Sequence, residues 1–224
     1  MLGRSRLPVL AEISGPPRGA RAWSLVRQDL GSLERLLPRL DGNRTVLVAG
    51  DEEAAPIAAI ALAAAASAHG RRTVLVECDL ARPGLAAQVG VAATPGLHEY
   101  LRWEAEPADV LRPVVLAGSA TAAAADPLVC ICAGRPAENA ETLLGLQSFA
   151  HMTEKLRAAY ELVLLIAPSA ATEPGSCLAA ARQADAALAA LLTTDARGRT
   201  GRGTRKAVRR LPLPAVGAVA VAAP

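Results

Sequence analysis

The chain has 224 residues, the size of one α/β domain, and 52% of them are apolar, so a sizeable core can form. Only 2% are aromatic, so that core has to consist of Ala, Val, Leu and Ile, and the net charge of +3 is mild. The four cysteines lack paired zinc spacing, and no apolar stretch follows Arg4 and Arg6 to make a signal peptide. The longest uncharged run, Ala54–Gly70, is shorter than the ~20 residues of a membrane span. We therefore expect a cytoplasmic protein with reduced thiols.

The N-terminal part, residues 1–43, is predicted to be an arm packed on the main domain. It contains a short apolar piece at Leu7–Ile13, a Gly/Pro turn at Gly15–Pro17 and a helical stretch from about Ala20 to Leu37. The rest, residues 44–224, is predicted to be one α/β domain.

Short apolar runs alternate with helical stretches through the rest of the chain. The runs are continuously apolar, as in strands of a parallel sheet covered on both faces. Predicted strands are Thr45–Ala49, Thr73–Glu77, Leu128–Cys132, Glu161–Ala167, Ala186–Leu192 and Ala215–Ala222. Predicted helices are Ala55–Ala68, one after Gly84, Glu141–Ala159, Gly175–Arg182 and Thr204–Leu211, and Ala120–Ala125 is a low-complexity loop. This alternation predicts a three-layer, doubly wound, mostly parallel α/β sheet.

Several motifs follow one another in the order found in a known family. They are Leu7–Leu10, Arg21–Arg27, the DxDxRxP-like strand end in Thr73–Pro83, the PGL segment Pro95–Leu101, the GxxPxN-like segment Gly134–Leu144, and Tyr160–Pro168 in the place of a Walker B strand. In this order and spacing the chain resembles the bacterial tyrosine-kinase family (the Wzc/CpsD/CapB type), a branch of the MinD/ParA-like P-loop ATPases. The resemblance implies a P-loop NTPase-like fold and a link to exopolysaccharide synthesis.

The chain departs from this family where the phosphates of ATP would bind. A phosphate loop needs glycines whose N–H groups wrap the phosphates, a lysine, and a hydroxyl that holds Mg²⁺. The corresponding stretch, Gly50–Ile57, has one glycine and neither a lysine nor a hydroxyl, and no lysine precedes Lys155. Acidic residues stand there instead, just before a helix whose N-terminus favours carboxylates. We expect them to occupy, electrostatically, the place of the phosphates.

The other acidic positions of the nucleotide site are altered as well. Ile166 stands at the Walker B aspartate, and Glu77 replaces the first acid of DxDxR, whereas Asp79 and Arg82 remain. The last three are predicted to form either a relict hydrogen-bond cluster or a surviving partner contact. The degenerate nucleotide site thus predicted consists of Gly50, Asp51, Glu52, Glu53, Ala55, Pro56, Glu77, Asp79, Arg82 and Ile166. No catalytic or metal-binding residue is predicted.

Features linked to kinase assembly are missing too. The family's C-terminal tyrosine cluster has no counterpart, and its ExxRxxR oligomerisation pattern is reduced to Arg21, Ser24 and Arg27, so a kinase ring is not expected, although a homo-oligomer is possible. The stretch Arg197–Arg210 is rich in arginine. It is interpreted as a solvated loop and helix face or as a surface for nucleic acid or an acidic membrane, and the absence of aromatics argues against base stacking.

The leading functional hypothesis is a pseudo-ATPase without a cofactor, acting as a non-catalytic adaptor in exopolysaccharide or cell-envelope polysaccharide synthesis and export. Its expected partner is a transmembrane polysaccharide co-polymerase (chain-length) protein or an active family member, which would bring it to the membrane. One alternative is a weakly active ATPase or protein-tyrosine kinase that uses ATP and Mg²⁺. Another is a ParA/MinD-like positioning or DNA-binding protein, although a nucleic-acid partner is not expected.

Overall fold

The computed structural model describes residues 7–14, 26–114, 128–193 and 199–222. Within these residues the chain forms one eight-stranded sheet. The strands are β1 (Val9–Ile13), β2 (Thr45–Gly50), β3 (Thr73–Glu77), β4 (Arg112–Val114), β5 (Leu128–Ile131), β6 (Leu162–Ile166), β7 (Ala186–Leu192) and β8 (Ala215–Val221). Their order in the sheet is β1-β8-β7-β2-β6-β3-β5-β4, and only the β4–β5 pair is antiparallel.

Helices cover both faces of this sheet. They are α1 (Val26–Glu34), α2 (Ala54–Ala68), α3 (Leu85–Val89), α4 (Leu97–Leu101), α5 (Pro107–Val110), α6 (Ala140–Leu144), α7 (Gln147–Ala159), α8 (Pro174–Ala181) and α9 (Arg199–Val208), with a 3₁₀ turn at Leu37–Leu40. One apolar core lies between the sheet and α1–α3, and a second lies between the sheet and α4–α9. The predicted three-layer α/β fold is therefore confirmed.

Small side chains set the close packing of the first core. Helix α2 is largely alanine and buried along most of its length, so its backbone can approach the strands beneath it. The four cysteines are free and buried, as expected for reduced thiols. In the described part of the chain, no helix is both long and apolar enough to cross a bilayer.

The N-terminal segment contributes to the same sheet. Strand β1 lies at its edge and pairs in parallel with β8, and α1 packs beside α2. The oligomerisation-motif positions Arg21 and Ser24, the loop Ala120–Ala125 and Arg197 lie outside the described residues.

Three predicted elements need correction. The helix predicted at Glu141–Ala159 is two helices, because the chain turns at Gly145 and becomes extended at Leu146. Helix α9 begins at Arg199 and ends at Val208, ahead of the predicted span, because two glycines in its first half hid its start. Strand β4 was missed, since it is only three residues long and contains Pro113, which is tolerated only at a sheet edge.

Candidate functional site

The candidate site lies at the carboxyl ends of β2, β6 and β3, which are neighbours in the centre of the sheet. In open α/β sheets this edge is where ligands bind. A cavity of about 110 Å³ opens there, whereas pockets for small ligands are typically ~300–1,000 Å³. Its lining residues are Glu52, Pro56, Glu77, Asp79, Arg82, Gly84, Gln88, Ile166 and Ala167.

The turn between β2 and α2 uses most of its own amide groups. The N–H of Asp51 donates to the carbonyl of Ala190 at 3.0 Å, and those of Ala54 and Ala55 donate to the carbonyl of Asp51 at 3.0 and 2.9 Å. Pro56, in the first turn of α2, has no N–H to offer. A phosphate group at this turn would therefore find few free donors, unlike in a loop whose N–H groups wrap it.

Gly50 is explained by the sheet. It pairs with Ala190 of β7, and a Cβ at position 50 would overlap the carbonyl group of that residue. The one glycine left in the phosphate-loop position is thus required by the contact between two strands, which accounts for it without a ligand.

The three acidic residues after Gly50 point in different directions. The carboxylate of Asp51 accepts hydrogen bonds from the N–H of Leu192 at 2.9 Å and the hydroxyl of Thr204 at 2.8 Å, so it joins β7 and α9. Glu53 is exposed at the start of α2 and makes no side-chain capping bond. Only Glu52 reaches the cavity. The expectation that all three carboxylates take the place of the phosphates is wrong for Asp51. Its hydrogen-bond donors lie on β7 and α9, and β7 flanks β2 on the side away from β6 and β3.

Arg82 is the cationic centre of the cavity. Its guanidinium forms ion pairs with the carboxylates of Glu52, Asp79 and Glu173, the last two at 3.6 and 3.5 Å. The Arg82 N–H donates to Asp79 at 3.1 Å, and the Thr172 hydroxyl donates to Glu52 at 3.3 Å. Burial raises the pKa of Asp79, and the Arg82 guanidinium counteracts part of that rise. One cation thus pairs with three carboxylates, so the cluster has an excess of negative charge.

Two members of this cluster were missed by sequence reasoning. Thr172 and Glu173 lie between β6 and α8, and they contact Glu52 and Arg82 respectively. Their only sequence signal is position, just beyond a predicted strand that ends at the same sheet edge as the others.

Glu77 does not join the Arg82 cluster through a hydrogen bond or ion pair between described residues. Its buried carboxylate accepts the N–H groups of Gly84, Leu85 and Ala133 at 2.6, 2.7 and 2.9 Å. Burial raises the pKa of Glu77, and the three amide donors offset part of the rise. The predicted Glu77–Asp79–Arg82 group is therefore divided: Asp79 pairs with Arg82, whereas Glu77 ties the ends of β3 and β5 to α3.

Ile166 fills the position where a metal-positioning carboxylate would lie. It is buried, it lies between Val48 of β2 and Glu77 of β3 in the sheet, and it lines the cavity. Over the part of the chain that the structure describes, no three His, Cys, Asp or Glu side chains are arranged to hold a metal ion. The residues of this cavity, with an excess of carboxylates and one paired arginine, do not fit a triphosphate with magnesium.

Two of the family-like motifs, the PGL segment and the GxxPxN-like segment, form a structural clamp beside the cavity. The N–H groups of Leu97 and His98 donate to the carbonyls of Cys132 and Ala133, both at 2.8 Å. Gly96 lies so close to Gly134 that a Cβ would overlap its backbone. The PGL and GxxPxN-like segments are therefore explained by packing against one another.

Comparison with known proteins identifies the fold. No protein-family model matches the chain, and no curated protein matches its sequence. Among solved structures, the chimerical protein CapA2B2 is similar with a TM-score of 0.81 and 14% identity, over 96% of this chain and 94% of that chain. The BceF tyrosine kinase domain is similar with a TM-score of 0.77 and 19% identity, over 97% of this chain and 94% of that chain. The kinase domain of the Escherichia coli tyrosine kinase ETK is similar with a TM-score of 0.75 and 16% identity, over 96% of this chain and 90% of that chain.

At these identities the likeness concerns the fold. The chain has the P-loop NTPase-like α/β fold of bacterial tyrosine kinase domains, which is also that of MinD ATPases. The resemblance predicted from the order of the motifs is confirmed at this level.

Proposed function

We propose that this chain is a degenerate relative of the bacterial tyrosine kinases that does not bind ATP and acts as a non-catalytic adaptor in cell-envelope polysaccharide synthesis and export. The observation that carries the proposal is the Arg82 cluster, in which Glu52, Asp79 and Glu173 surround the only cation that lines the cavity within the described residues. This arrangement places carboxylates where a triphosphate needs positive charge.

The chemistry argues in the same direction. Phosphoryl transfer is catalysed mainly by positioning and charge stabilisation, and losing one preorganised contact typically costs ~10²–10³ in rate. Here the lysine, the metal-binding hydroxyl and the Walker B acid are absent together, and Ile166 occupies the last position. Turnover at a useful rate is not expected from such a site.

An adaptor role is supported by what the fold retains. The chain aligns with 90% or more of the length of the three solved structures compared above, so the fold extends over nearly the whole of those domains. The resemblance implies a transmembrane chain-length protein or an active relative as partner. Such a partner would bring the adaptor to the inner face of the membrane.

Melting temperatures with nucleotide test the loss of ATP binding. Ligands that bind the folded state raise the melting temperature by an amount that grows with the logarithm of their excess over Kd. We expect no shift with millimolar ATP–Mg²⁺ or ADP–Mg²⁺, and a clear shift for the BceF kinase domain treated identically. Sodium triphosphate without Mg²⁺ controls for ionic effects.

A Mg²⁺-dependent stabilisation of this chain would contradict the proposal. Phosphate release that survives Asp79→Asn but is lost in Arg82→Ala would support a weakly active enzyme instead.

A further inference from the structure

Trp103 occupies a strained and exposed position. Its φ of +63° lies in the left-handed region that favours glycine, and among the described residues it is the one non-glycine with positive φ. Its side chain is 81% exposed, so burial does not compensate for the strain. A tryptophan in this conformation, in a chain with only 2% aromatics, requires an explanation.

The backbone around Trp103 shows why glycine would be the ordinary choice. The Trp103 N–H donates to the Tyr100 carbonyl at 3.0 Å, and the Glu104 N–H donates to the Glu99 carbonyl at 2.8 Å. These two bonds form the Schellman motif that ends α4, and Trp103 stands at its C′ position, which usually requires a left-handed residue and is most often glycine. The motif itself gains nothing from the indole.

Ion pairs hold the segment in place on both sides of the indole. Arg102 Nε lies 2.7 Å from a carboxylate oxygen of Glu104, and Arg135 Nε lies 2.8 Å from one of Glu99. Arg135 also pairs with Glu104, so the network closes around the turn. Trp103 is therefore presented outward on a backbone fixed by hydrogen bonds and ion pairs. Such preorganisation favours binding, because little freedom remains to be lost.

The charges nearby indicate what the indole would meet. Glu106 and Asp109, three and six residues further on, are exposed and form no ion pair with a described residue. The half-buried Arg112 donates to backbone carbonyls, including that of Asp109. These two carboxylates accept each other's backbone N–H in the capping box of α5 and keep their charge. Unpaired negative charge three and six residues from an exposed indole suits a cation, which the face of tryptophan attracts. The same charge also disfavours an anionic bilayer.

We propose that Trp103 anchors a protein-docking surface that binds a basic segment, with an Arg or Lys side chain of the partner placed over the indole and its charge facing Glu106 and Asp109. Tryptophan is enriched among residues that dominate binding energy at interfaces. The surface follows α4, in the helix layer opposite α2, and goes beyond the proposed function because it does not depend on whether nucleotide binds.

Fluorescence of Trp103 tests this assignment. In a Trp23→Phe background Trp103 is the remaining tryptophan, and an acetylated Arg/Gly peptide is expected to change its emission saturably. Peptides of the same length with Glu or norleucine in place of Arg should have no effect. By calorimetry, Trp103→Gly should weaken binding of the Arg peptide about tenfold, and Trp103→Phe should retain most of it. Glu106→Gln with Asp109→Asn should weaken it as well.

The stability of the variants separates docking from folding. Trp103→Gly should raise the melting temperature because it relieves the positive φ, so lost binding cannot be ascribed to unfolding. The proposal is overturned if the Arg peptide does not bind, if it binds Trp103→Gly as well as the parent, or if the norleucine peptide binds equally. A response only to phosphatidylserine vesicles would also overturn it, in favour of a membrane surface.

Discussion

At the scale of single residues, Glu77 shows how a position from a nucleotide-binding motif can serve the fold alone. Its carboxylate accepts three backbone N–H groups, two from the start of α3 and one from the end of β5. A buried donor that loses its acceptor costs about 1–3 kcal/mol. Glu77 therefore stabilises the turn after β3 whatever the fate of the nucleotide site.

The pKa of Glu77 gives this role a pH dependence. Because burial raises the pKa, the folded state keeps the proton to higher pH than the unfolded state, whose value is near 4.5. Well below that value both states are protonated, and as pH rises through the folded pKa the stabilisation is lost. We expect the stability of the parent relative to Glu77→Gln, which does not titrate, to fall as pH rises from the unfolded value near 4.5 through the raised pKa of the folded state.

Urea unfolding of both proteins at each pH measures this difference. The free energy of unfolding of Glu77→Ala should be about 3 kcal/mol below that of the parent at both ends of the pH range. A difference between parent and Glu77→Gln that rose with pH would show that the amide donors, and not burial, govern the carboxyl.

At the scale of elements, the contact between β2 and β7 determines the residue that begins the turn between β2 and α2. Gly50 faces the backbone of Ala190, and the amide of Asp51 donates to the same carbonyl. A side chain at position 50 would force the two strands apart. The turn geometry and the sheet are therefore coupled through one small residue.

We expect Gly50→Ala to destabilise the fold by about 1–3 kcal/mol, because the added methyl group would overlap the β7 backbone. Gly31→Ala is the matched control, since a Cβ at position 31 would meet no atom within 4 Å. Chemical unfolding of the two variants makes the comparison. Equal stability of the Gly50→Ala and Gly31→Ala variants would mean that β2 and β7 can move apart without cost. The contact between these strands would then not be the reason for glycine at position 50.

The elements also show what a single sequence reveals. Continuous apolar runs predicted the central strands well, because a strand that is buried on both faces has apolar residues at nearly every position. Strand β4 and the break at Gly145 escaped, since short or interrupted elements have little periodicity. In the site, Asp79 and Arg82 were named from their motif. Glu173 was missed, because its pairing with Arg82 joins segments distant in the chain, and the direction of Asp51 depends on α9.

At the scale of the whole molecule, the P-loop NTPase-like fold surrounds a cavity whose residues do not fit a triphosphate with magnesium. The sheet order, the two cores and the clamp between the Gly96 and Gly134 segments persist. If the chain has no turnover, as proposed, its surface is the means by which it acts. The proposed adaptor role belongs to this scale.

Cell fractionation tests that role. We expect the chain to sediment with membranes when the chain-length protein of the same genome is present, and to remain in the supernatant when that protein is deleted. Arg82→Ala is the matched variant, which should leave the distribution unchanged because the proposed adaptor role does not depend on the charge balance of the cavity. Membrane association that persists without the chain-length protein would contradict this choice of partner.

The pairing of β1 with β8 has a consequence for how the molecule is made. β1 lies at the sheet edge with β8 as its neighbour, and Val9 is paired with Ala218 near the other end of the chain. During synthesis, β1 is made before the other described strands but can pair only once β8, the last of them, has been made. The β1 edge of the sheet therefore stays unpaired until the segment that contains β8 has been synthesised.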